Sequence, residues 1–433
     1  MIYIALLLII SIIYAVITWR HLDHGLYLLA AGLPTYLLRF SIGPIPMTLL
    51  EVLVLIFIVL SLRAERGNLM GLLRRFTPRN DRFIAPICLL LMAATIGVLV
   101  APDKLSALGI WKAYFVEPIL VFIVATDLLR KRSDDINRVL TGLCAGGLFI
   151  AVFAIFQFFT GWGLPAPWDV ENRVVSLFPY PNAVGLYLAP IIVISVLMSL
   201  TPRNDSRIFW IATALLSSIA IVLSQSEAAI VAVLATLFLG AVLTKRLRIA
   251  AITTVVAVTI LVAISPFHQT IFDKLTLNDY SGQVRQSQWR ETILMLKDHP
   301  VFGAGLNGYP AAMDEYHTDT QYEIFQYPHT LILNIWSELG LLGLIAFLWL
   351  TINIILSLRG GTTKQSPEGL PRFARNDNFW IAFLALTETT IHGLADVPYF
   401  KNDLAVMTWI LIAIIASTAY AKPTQISTQC LDA

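Results

Sequence analysis

Apolar segments long enough to cross a lipid bilayer recur along the whole of this 433-residue sequence. Each crossing needs about 20 apolar residues and must be helical, because lipid offers an open backbone no hydrogen-bond partners. The sequence is 57% hydrophobic and 13% charged, whereas soluble domains carry about 25% charged residues. It predicts an all-α polytopic membrane protein, a single integral membrane domain over residues 1–433 with about 12–13 transmembrane helices. The predicted spans are 2–19, 25–38, 45–62, 84–101, 114–129, 139–160, 182–200, 209–224, 228–244, 249–265, 331–358, 379–395 and 404–421.

Basic residues between the spans predict the orientation of the chain, because short basic connections stay on the cytoplasmic side of a membrane. The segment after the third span is strongly basic, and alternation from there puts the other strongly basic connections on the same side. Segments 160–183 and 266–328 then fall outside. The longer one carries eight acids and four bases and predicts an external loop with short helices. Residues 422–433 are expected to form a cytoplasmic tail.

Three arginines, Arg173, Arg285 and Arg290, lie in the two outer segments. The planar guanidinium suits bidentate binding of phosphate oxygens. Arginines that pair with loop acids or lipid headgroups would give the same pattern. Asn182 follows Arg173 in "YPN", where the chain turns and a helix begins.

The segment from Trp289 to Lys297 is amphipathic and predicts a helix on the membrane surface. It is followed by "HPVFGAGLNGYP", a glycine-rich stretch that includes Tyr309 and could approach a ligand closely. Glycine spacing alone is weak evidence, and no strand precedes it as a dinucleotide site requires.

Ionisable residues also occur at the start of, and within, the last apolar spans. His329 begins one of them, and Glu338 lies nine residues further on, about 13 Å along a continuous helix. Glu338 is therefore not expected to touch His329. Glu388, His392 and Asp396 recur every four residues and predict one polar helix face, either a support for a site or a structural seam.

Taken in chain order, these motifs resemble the O-antigen ligase and polymerase superfamily of membrane glycosyltransferases. The resemblance runs from about residue 100 to the C-terminus, and its most specific part is the histidine-to-glycine spacing combined with the long outer loop. The motifs are R-x5-F-x2-PN (Arg173, Phe178, Pro181, Asn182), R-x3-W (Arg285, Trp289) followed by "DHPVFGAGLNGY", and H-T-x9-G-x2-G (His329, Gly340, Gly343).

The resemblance implies an enzyme that moves a glycan from an undecaprenyl-diphosphate carrier to the hydroxyl of a glycan, lipid or protein acceptor. It further implies a metal-independent, inverting transferase without a cofactor, in the bacterial cytoplasmic membrane, with the active site facing the periplasm or cell exterior. No nucleic acid partner is expected. A ligase and a polymerase use the same donor chemistry, so the resemblance leaves both open.

The resemblance also assigns roles to residues. Arg173 and Arg285 match arginines that hold the donor diphosphate, and His329 matches the histidine of the ligase motif. The expected substrate-binding residues are Arg290, Trp289, Asn182 and Tyr309. Glu338, His392 and Asp396 are candidates for supporting the site on the polarity of their positions alone, and packing within the bundle is the alternative role for them. Two positions depart from the family: Thr330 replaces the usual asparagine or serine, and Glu227 stands where many members carry arginine. The second change weakens the resemblance to lipopolysaccharide ligases.

His329 has two chemical interpretations at this stage. It is either a general base for the acceptor hydroxyl or a proton donor to the diphosphate, and a capping residue at a helix end is the structural alternative. Two other functions share part of the pattern. One is a transporter of lipid-linked sugars, although no inverted repeat of broken helices is visible. The other is a metal site made by His299, Asp314, Glu315, His317 and His329, whose spacing fits no zinc signature.

Overall fold

The protein is an assembly of apolar helices, and this confirms the predicted all-α polytopic membrane fold. The structure, a computed structural model, describes residues 2–43, 45–64, 81–201, 206–244, 247–266, 268–360 and 377–418. The predicted tail at 422–433 lies outside them. The helices are α1 (Ile2–Arg20), α2 (Leu22–Ala31), α3 (Leu49–Ala64), α4 (Asp81–Val100), α5 (Lys104–Ile110), α6 (Glu117–Lys131), α7 (Asp135–Thr160), α8 (Pro181–Ser199), α9 (Arg207–Leu223), α10 (Glu227–Leu243), α11 (Arg248–Ile264), α12 (His268–Leu275), α13 (Tyr280–Asp298), α14 (Tyr309–Met313), α15 (Leu331–Gly360), α16 (Asp377–His392) and α17 (Asn402–Thr418).

Fewer helices reach full membrane-spanning length than the 12–13 predicted. In the described part of the chain, six helices are long and apolar enough to cross: α1, α4, the continuous helix Lys104–Lys131, α7, α8 and α15. The sharply bent stretch from α11 to α13 would be a seventh. Helices α9, α10 and α17 are apolar but have 17 residues each, which is about 25 Å at 1.5 Å per residue.

The predicted second span, 25–38, is not one helix. Helix α2 ends at Ala31, and a 3₁₀ turn (Leu33–Leu37) follows because Pro34 starts a new turn there. An antiparallel hairpin of β1 (Arg39–Ile42) and β2 (Ile45–Thr48) comes next. The Tyr3 hydroxyl at the start of α1 donates to the Arg39 carbonyl, 3.0 Å away. The segment therefore returns to the end of the bundle from which α1 begins, but as a broken helix.

Helices α8 and α17 form the centre of the bundle. Almost every described residue of both is buried, and α8 packs against α7, α9, α10 and α16, whereas α17 packs against α6 and α16. Helix α11 has no buried residue, and much of the apolar surface of α1 is exposed. In a membrane protein these exposed apolar faces are the ones that lipid covers.

Three of the connections that the charge pattern assigns to the cytoplasmic side, those after α1, α3 and α6, lie at one end of the bundle. Asp23 lies within 3.5 Å of Arg132 and Arg138 there, and the Arg63 guanidinium stacks on the Trp19 ring at 3.0 Å. Segments assigned to the outer side meet one another as well, and they hold the candidate site.

Candidate functional site

His329 occupies a tightly anchored turn just before α15. Its backbone is left-handed, with φ +47°, a conformation that few residues other than glycine adopt. Anchors on both sides hold the turn. The Pro328 carbonyl accepts a hydrogen bond from Trp289 Nε1 (2.9 Å), and the Gly393 carbonyl accepts bonds from the Leu331 N–H (2.7 Å) and the Thr330 hydroxyl (3.2 Å). The backbone at His329 is therefore held in a conformation that a free loop would rarely adopt.

The imidazole of His329 faces a buried carboxylate. Its Nδ1 atom lies 3.6 Å from Oδ1 of Asp396, and the two side chains are 18% and 2% exposed. Burial by itself raises the pKa of Asp396, but contact with His329 and its charge, with a smaller effect of His392, lower that pKa below its usual value. The carboxylate therefore stays ionised and can orient the ring and stabilise an imidazolium.

Arg285 approaches the same turn from α13. Its Nε atom donates to the carbonyl of Ala395 (3.2 Å), the residue before Asp396, and NH1 donates to the Ser281 hydroxyl (2.8 Å). The structure thus brings Arg285, Trp289 and His329 to one place, although α13 and the histidine turn are separated by the glycine-rich stretch.

Arg173 and Asn182 form a second part of the outer face. Arg173 Nε donates to the Ser224 carbonyl at the end of α9 (3.2 Å), and NH2 lies 3.5 Å from Asn182 Oδ1 at the start of α8. NH1 reaches the exposed Glu171 at 3.5 Å. The buried Gln157 side chain accepts bonds from the N–H groups of residues 175 and 176 and so holds this segment on α7.

A pair of tyrosines joins the two parts. Tyr180, which precedes α8, and Tyr327, which precedes the histidine turn, share a hydrogen bond of 2.7 Å between their hydroxyls. The Lys401 ammonium lies 4.1 Å from the centre of the Tyr180 ring. Sequence reasoning assigned no role to either tyrosine or to Lys401. The available signal was the dipeptide Tyr-Pro, which immediately precedes both Asn182 and His329.

The predicted polar face of Glu388, His392 and Asp396 is only partly helical. Glu388 and His392 form a buried pair on α16, 3.3 Å apart. The helix ends at His392, so Asp396 lies in the following turn, with its N–H bonded to the His392 carbonyl (3.0 Å). Asp396 therefore contacts His329, whereas His392 stays on α16 and contacts Glu388.

The outward face of α13 borders an open groove of about 670 Å³. Arg290 lies on it, is 63% exposed and faces Asp319 at 3.5 Å. The amphipathic pattern of 289–297 predicts that Ile293, Leu294 and Leu296 share one apolar face. In the structure they do not share one environment, because Leu296 is buried and Ile293 and Leu294 are exposed. The groove is lined in part by Gln283, Gln286, Trp289, Arg290 and Tyr322.

The glycine-rich stretch approaches protein backbone rather than the site. Gly340 has φ +67° and kinks α15, and a Cβ there would lie 2.1 Å from the Val301 carbonyl oxygen. The Asn307 N–H donates to Glu338 Oε2 (2.5 Å), and the Leu306 N–H donates to the Gly97 carbonyl in α4 (3.1 Å). The carboxylate of Glu338 thus holds the loop in the kink of α15.

Tyr309, an expected substrate-binding residue, is buried between α13 and α14. It is 1% exposed and packs with Met295, Leu296 and Met313, and its hydroxyl bonds to Thr292 (2.8 Å). Its role in the structure is to pack α14 against α13.

An apolar cavity of about 260 Å³ lies next to the histidine turn, within the helices. Helices α15, α16 and α17 and the turn between the last two line it, including Leu331, Ile335, Thr390, Tyr399 and Trp409. Leu331 is two residues from His329, so the cavity and the polar site are neighbours.

Potential metal ligands come together elsewhere in the described residues. His21, Asp23 and His24 are the group within ligand reach of one another, and Asp23 already pairs with two arginines. His317 lies 3.2 Å from Glu291 and His329 faces Asp396, so each has a carboxylate partner of its own. Nothing in this geometry favours the metal interpretation.

Comparison with known families supports the motif-based interpretation. Residues 212–348, about a third of the chain, match the family model described as O-antigen ligase. That segment contains Arg285, Arg290 and His329, whereas Arg173, Asp396 and Lys401 lie outside it. Comparison with curated proteins gives no match. The family match confirms the resemblance of this membrane protein to the O-antigen ligase and polymerase superfamily.

Proposed function

We propose that the protein transfers a glycan from an undecaprenyl-diphosphate carrier to an acceptor hydroxyl. The observation that carries this proposal is the meeting of three groups: Arg285 bonds to the Ala395 carbonyl, and the next residue, Asp396, faces His329. A cation, a base and an orienting carboxylate at one point are the parts that glycosyl transfer from a diphosphate requires.

His329 acts as the general base in this proposal. With Nδ1 turned towards Asp396, Nε2 is the nitrogen that accepts the proton of the acceptor hydroxyl. The hydroxyl oxygen forms a bond to the anomeric carbon while the bond from that carbon to the diphosphate oxygen breaks. The diphosphate leaves with the electron pair, and a single displacement of this kind inverts the anomeric centre.

The arginines stabilise the charge that develops on the leaving diphosphate. Arg285 stands beside the base, and Arg173 stands on the other side of the Tyr180–Tyr327 pair. Fixed cations aimed at a developing anion lower the barrier as metal ions do in phosphoryl transfer, so the proposed reaction needs no metal. Transfer that persists in EDTA would support this point, and its loss on chelation would count against it.

In this proposal the apolar cavity binds the lipid end of the donor, and the polar groove binds its sugar end. The isoprene units next to the diphosphate fit the cavity of about 260 Å³ between α15, α16 and α17. The sugar chain fits the groove on α13, where amides and the aromatic rings of Trp289 and Tyr322 provide hydrogen bonds and stacking. The charge pattern of the connections supports an orientation in which this face lies on the outer side of the cytoplasmic membrane.

Transfer by the purified protein in vesicles tests the proposal. The vesicles contain a synthetic undecaprenyl-diphosphate oligosaccharide and a second copy of it as acceptor, or a lipid core sugar in a parallel reaction. The expected result is a longer or lipid-linked glycan together with undecaprenyl diphosphate. The pair of acceptors also separates a polymerase from a ligase.

A transporter of lipid-linked sugars would give the opposite pattern. The same vesicles report translocation through accessibility of the donor sugar to an external lectin. In a transferase, Arg285→Gln abolishes product while translocation stays at the background of empty vesicles. If the wild type moved the donor across the membrane without forming product, and Arg285→Gln abolished that movement, the protein would be a transporter instead.

A further inference from the structure

Lys401 carries a buried ammonium group with no hydrogen-bond partner in the described part of the chain. It lies in the turn that leads into α17, and part of its side chain is exposed although Nζ is enclosed. The ammonium faces the Tyr180 ring, with 4.1 Å from Nζ to the ring centre, and the centre of the Phe178 ring lies 6.0 Å away. A cation–π contact offsets only part of the cost of burying a charge.

The charged groups around Lys401 come from several elements. Asp396 from the same turn and Asp403 from α17 favour the ammonium form electrostatically, and Arg39 of β1 opposes it. No ion pair within 4.0 Å joins Lys401 to a carboxylate among the residues that the structure describes. Burial of the ammonium lowers the pKa of Lys401 to about 8, although Asp403 and Asp396 act in the opposite direction.

Lys401 lies near the N-terminus of α8. Tyr180 precedes the first residue of α8, whose N-terminal N–H groups favour negative charge. Asn182 in the first turn of α8 is the partner of Arg173. Through Tyr327, Tyr180 is also linked to the histidine turn. Lys401 thus stands between the two parts of the site, at a helix N-terminus.

We propose that Lys401 binds a phosphate group of the donor diphosphate, together with Arg173 and the N-terminus of α8. This assignment rests on the proposed function and adds a third cation to Arg173 and Arg285. The Lys401 ammonium donates hydrogen bonds to phosphate oxygens and neutralises part of the charge that the leaving diphosphate acquires. It acts as a cation throughout and takes no proton from the acceptor.

The first test measures binding without catalysis, as the thermal shift that inorganic diphosphate and undecaprenyl diphosphate each give to the detergent-purified full chain. Lys401→Met keeps the length and apolar stem of the side chain, and Lys401→Arg restores the charge. We expect Lys401→Met to bind both ligands about 10- to 100-fold more weakly, the usual value of a hydrogen bond to a charged group. Lys401→Arg should bind within about threefold of the wild type. The matched control is Lys274→Met, since Lys274 pairs with Glu227 on the surface of α12.

The pattern across the two ligands identifies the source of the anion. Weakened binding of both ligands shows a phosphate site that the lipid headgroup shares. Weakened binding of inorganic diphosphate alone would contradict the proposal, because Lys401 would then hold free anions only. Binding unchanged in Lys401→Met, with a lowered melting temperature of the ligand-free protein, would also overturn it and make Lys401 a structural counter-charge for Asp403.

A pH series covers the case in which Lys401→Met does not fold. The affinity of the wild type for diphosphate should fall as the pH rises through about 8, where Lys401 loses its proton. Lys401→Arg should keep its affinity to higher pH, and the ligand's own titration affects both proteins equally. Parallel curves for the two proteins would refute the assignment. If the wild type transfers glycan and substitution of Lys401 changes neither binding nor transfer, only this inference is refuted. If transfer is absent but binding of diphosphate depends on Lys401, only the proposed function is refuted.

Discussion

Nδ1 of His329 lies 3.6 Å from Oδ1 of Asp396, and the two residues come from different connections, the external loop before α15 and the turn after α16. This contact aligns the histidine with Arg285, because Arg285 bonds to the residue next to Asp396. The base and the cation are therefore positioned by one short turn.

Asp396→Asn tests the orienting role of that turn. An amide cannot stabilise an imidazolium, so we expect kcat to fall by about 10²–10⁴-fold, the range for loss of effective acid–base catalysis. Donor binding, measured by thermal shift with undecaprenyl diphosphate, should change little. A drop in donor affinity with kcat unchanged would assign Asp396 to binding instead.

The same substitution has a consequence for acid stability. Because the pKa of Asp396 is lowered in the folded protein, its ionised form stabilises the fold above the pKa of an unfolded aspartate. That stabilisation is lost as the pH falls through the lower folded-state pKa. Melting temperatures measured from pH 7 to pH 3 should therefore fall less steeply for Asp396→Asn than for the wild type. Curves of equal slope would mean that Asp396 is not charged in the fold.

Arg285 and Arg290 should differ in kinetic effect although they lie five residues apart on α13. Arg285→Gln removes a cation beside the base, so we expect a loss of about 10²–10³-fold in kcat. Arg290 lies on the groove and is 63% exposed, so Arg290→Gln should raise KM for the glycan a few-fold and leave kcat within about twofold. Initial rates at varied donor and acceptor concentrations separate the two effects. Equal losses of kcat would contradict this division of roles.

Gly340 should tolerate no side chain. Alanine at φ +67° is strained, and its Cβ would overlap the Val301 carbonyl, so we expect Gly340→Ala to cost about 2–5 kcal/mol of unfolding free energy. Gly109→Ala is the control, because a Cβ at that position meets no atom within 4 Å and alanine favours the helix. Thermal unfolding in detergent compares them. A Gly340→Ala protein as stable as Gly109→Ala would show that the kink of α15 is not fixed by the loop.

Glu291 holds the 317–319 segment on α13. Its carboxylate accepts bonds from the N–H groups of Thr318 (2.8 Å) and Asp319 (3.0 Å), and His317 lies 3.2 Å away. Burial acts to raise the pKa of Glu291, but these bonds lower it below 4.5. Its stabilising effect is therefore present above about pH 4.5 and is lost as the pH falls through the folded-state pKa.

Hydrogen exchange of residues 317–319 between pH 7 and pH 3 measures this effect. Protection, corrected for intrinsic exchange, should drop on acidification in the wild type. In Glu291→Gln it should be lower at pH 7 and nearly independent of pH. Equal protection in the two proteins at pH 7 would show that Glu291 does not hold the segment.

The sequence predicted where most helices of the bundle lie because apolar length is a direct physical requirement of lipid, but it overestimated how many of them reach full membrane-spanning length. It failed at 25–38, where average hydropathy hides the break that Pro34 introduces. The charge pattern also predicts that Arg173, Arg285 and His329 lie on one face, and the contacts through Asp396, Ala395 and the Tyr180–Tyr327 pair agree with that prediction.

Contacts between distant segments were beyond sequence reasoning. The Tyr180–Tyr327 bond and the position of Lys401 depend on how three connections pack together, which no local pattern encodes. Glycines in "VFGAGLNGYP" indicated a close approach, but they could not indicate whether a ligand or a backbone approaches. In the structure this loop approaches the backbone of α15 at its kink, where Glu338 holds the loop. The helical period of Glu388, His392 and Asp396 likewise gave no sign that α16 ends at His392.

His329→Asn tests the central claim most directly. Asparagine tolerates the left-handed backbone of this position better than alanine, so the fold and donor binding should be kept while the base is lost. The measurement is the single-turnover rate of glycan transfer with donor pre-bound, alongside the melting temperature and the thermal shift given by undecaprenyl diphosphate. We predict a rate lower by about 10²–10⁴-fold with the melting temperature and donor binding retained. Transfer at the wild-type rate would contradict the account, and so would a loss of donor binding that alone explains the lost product.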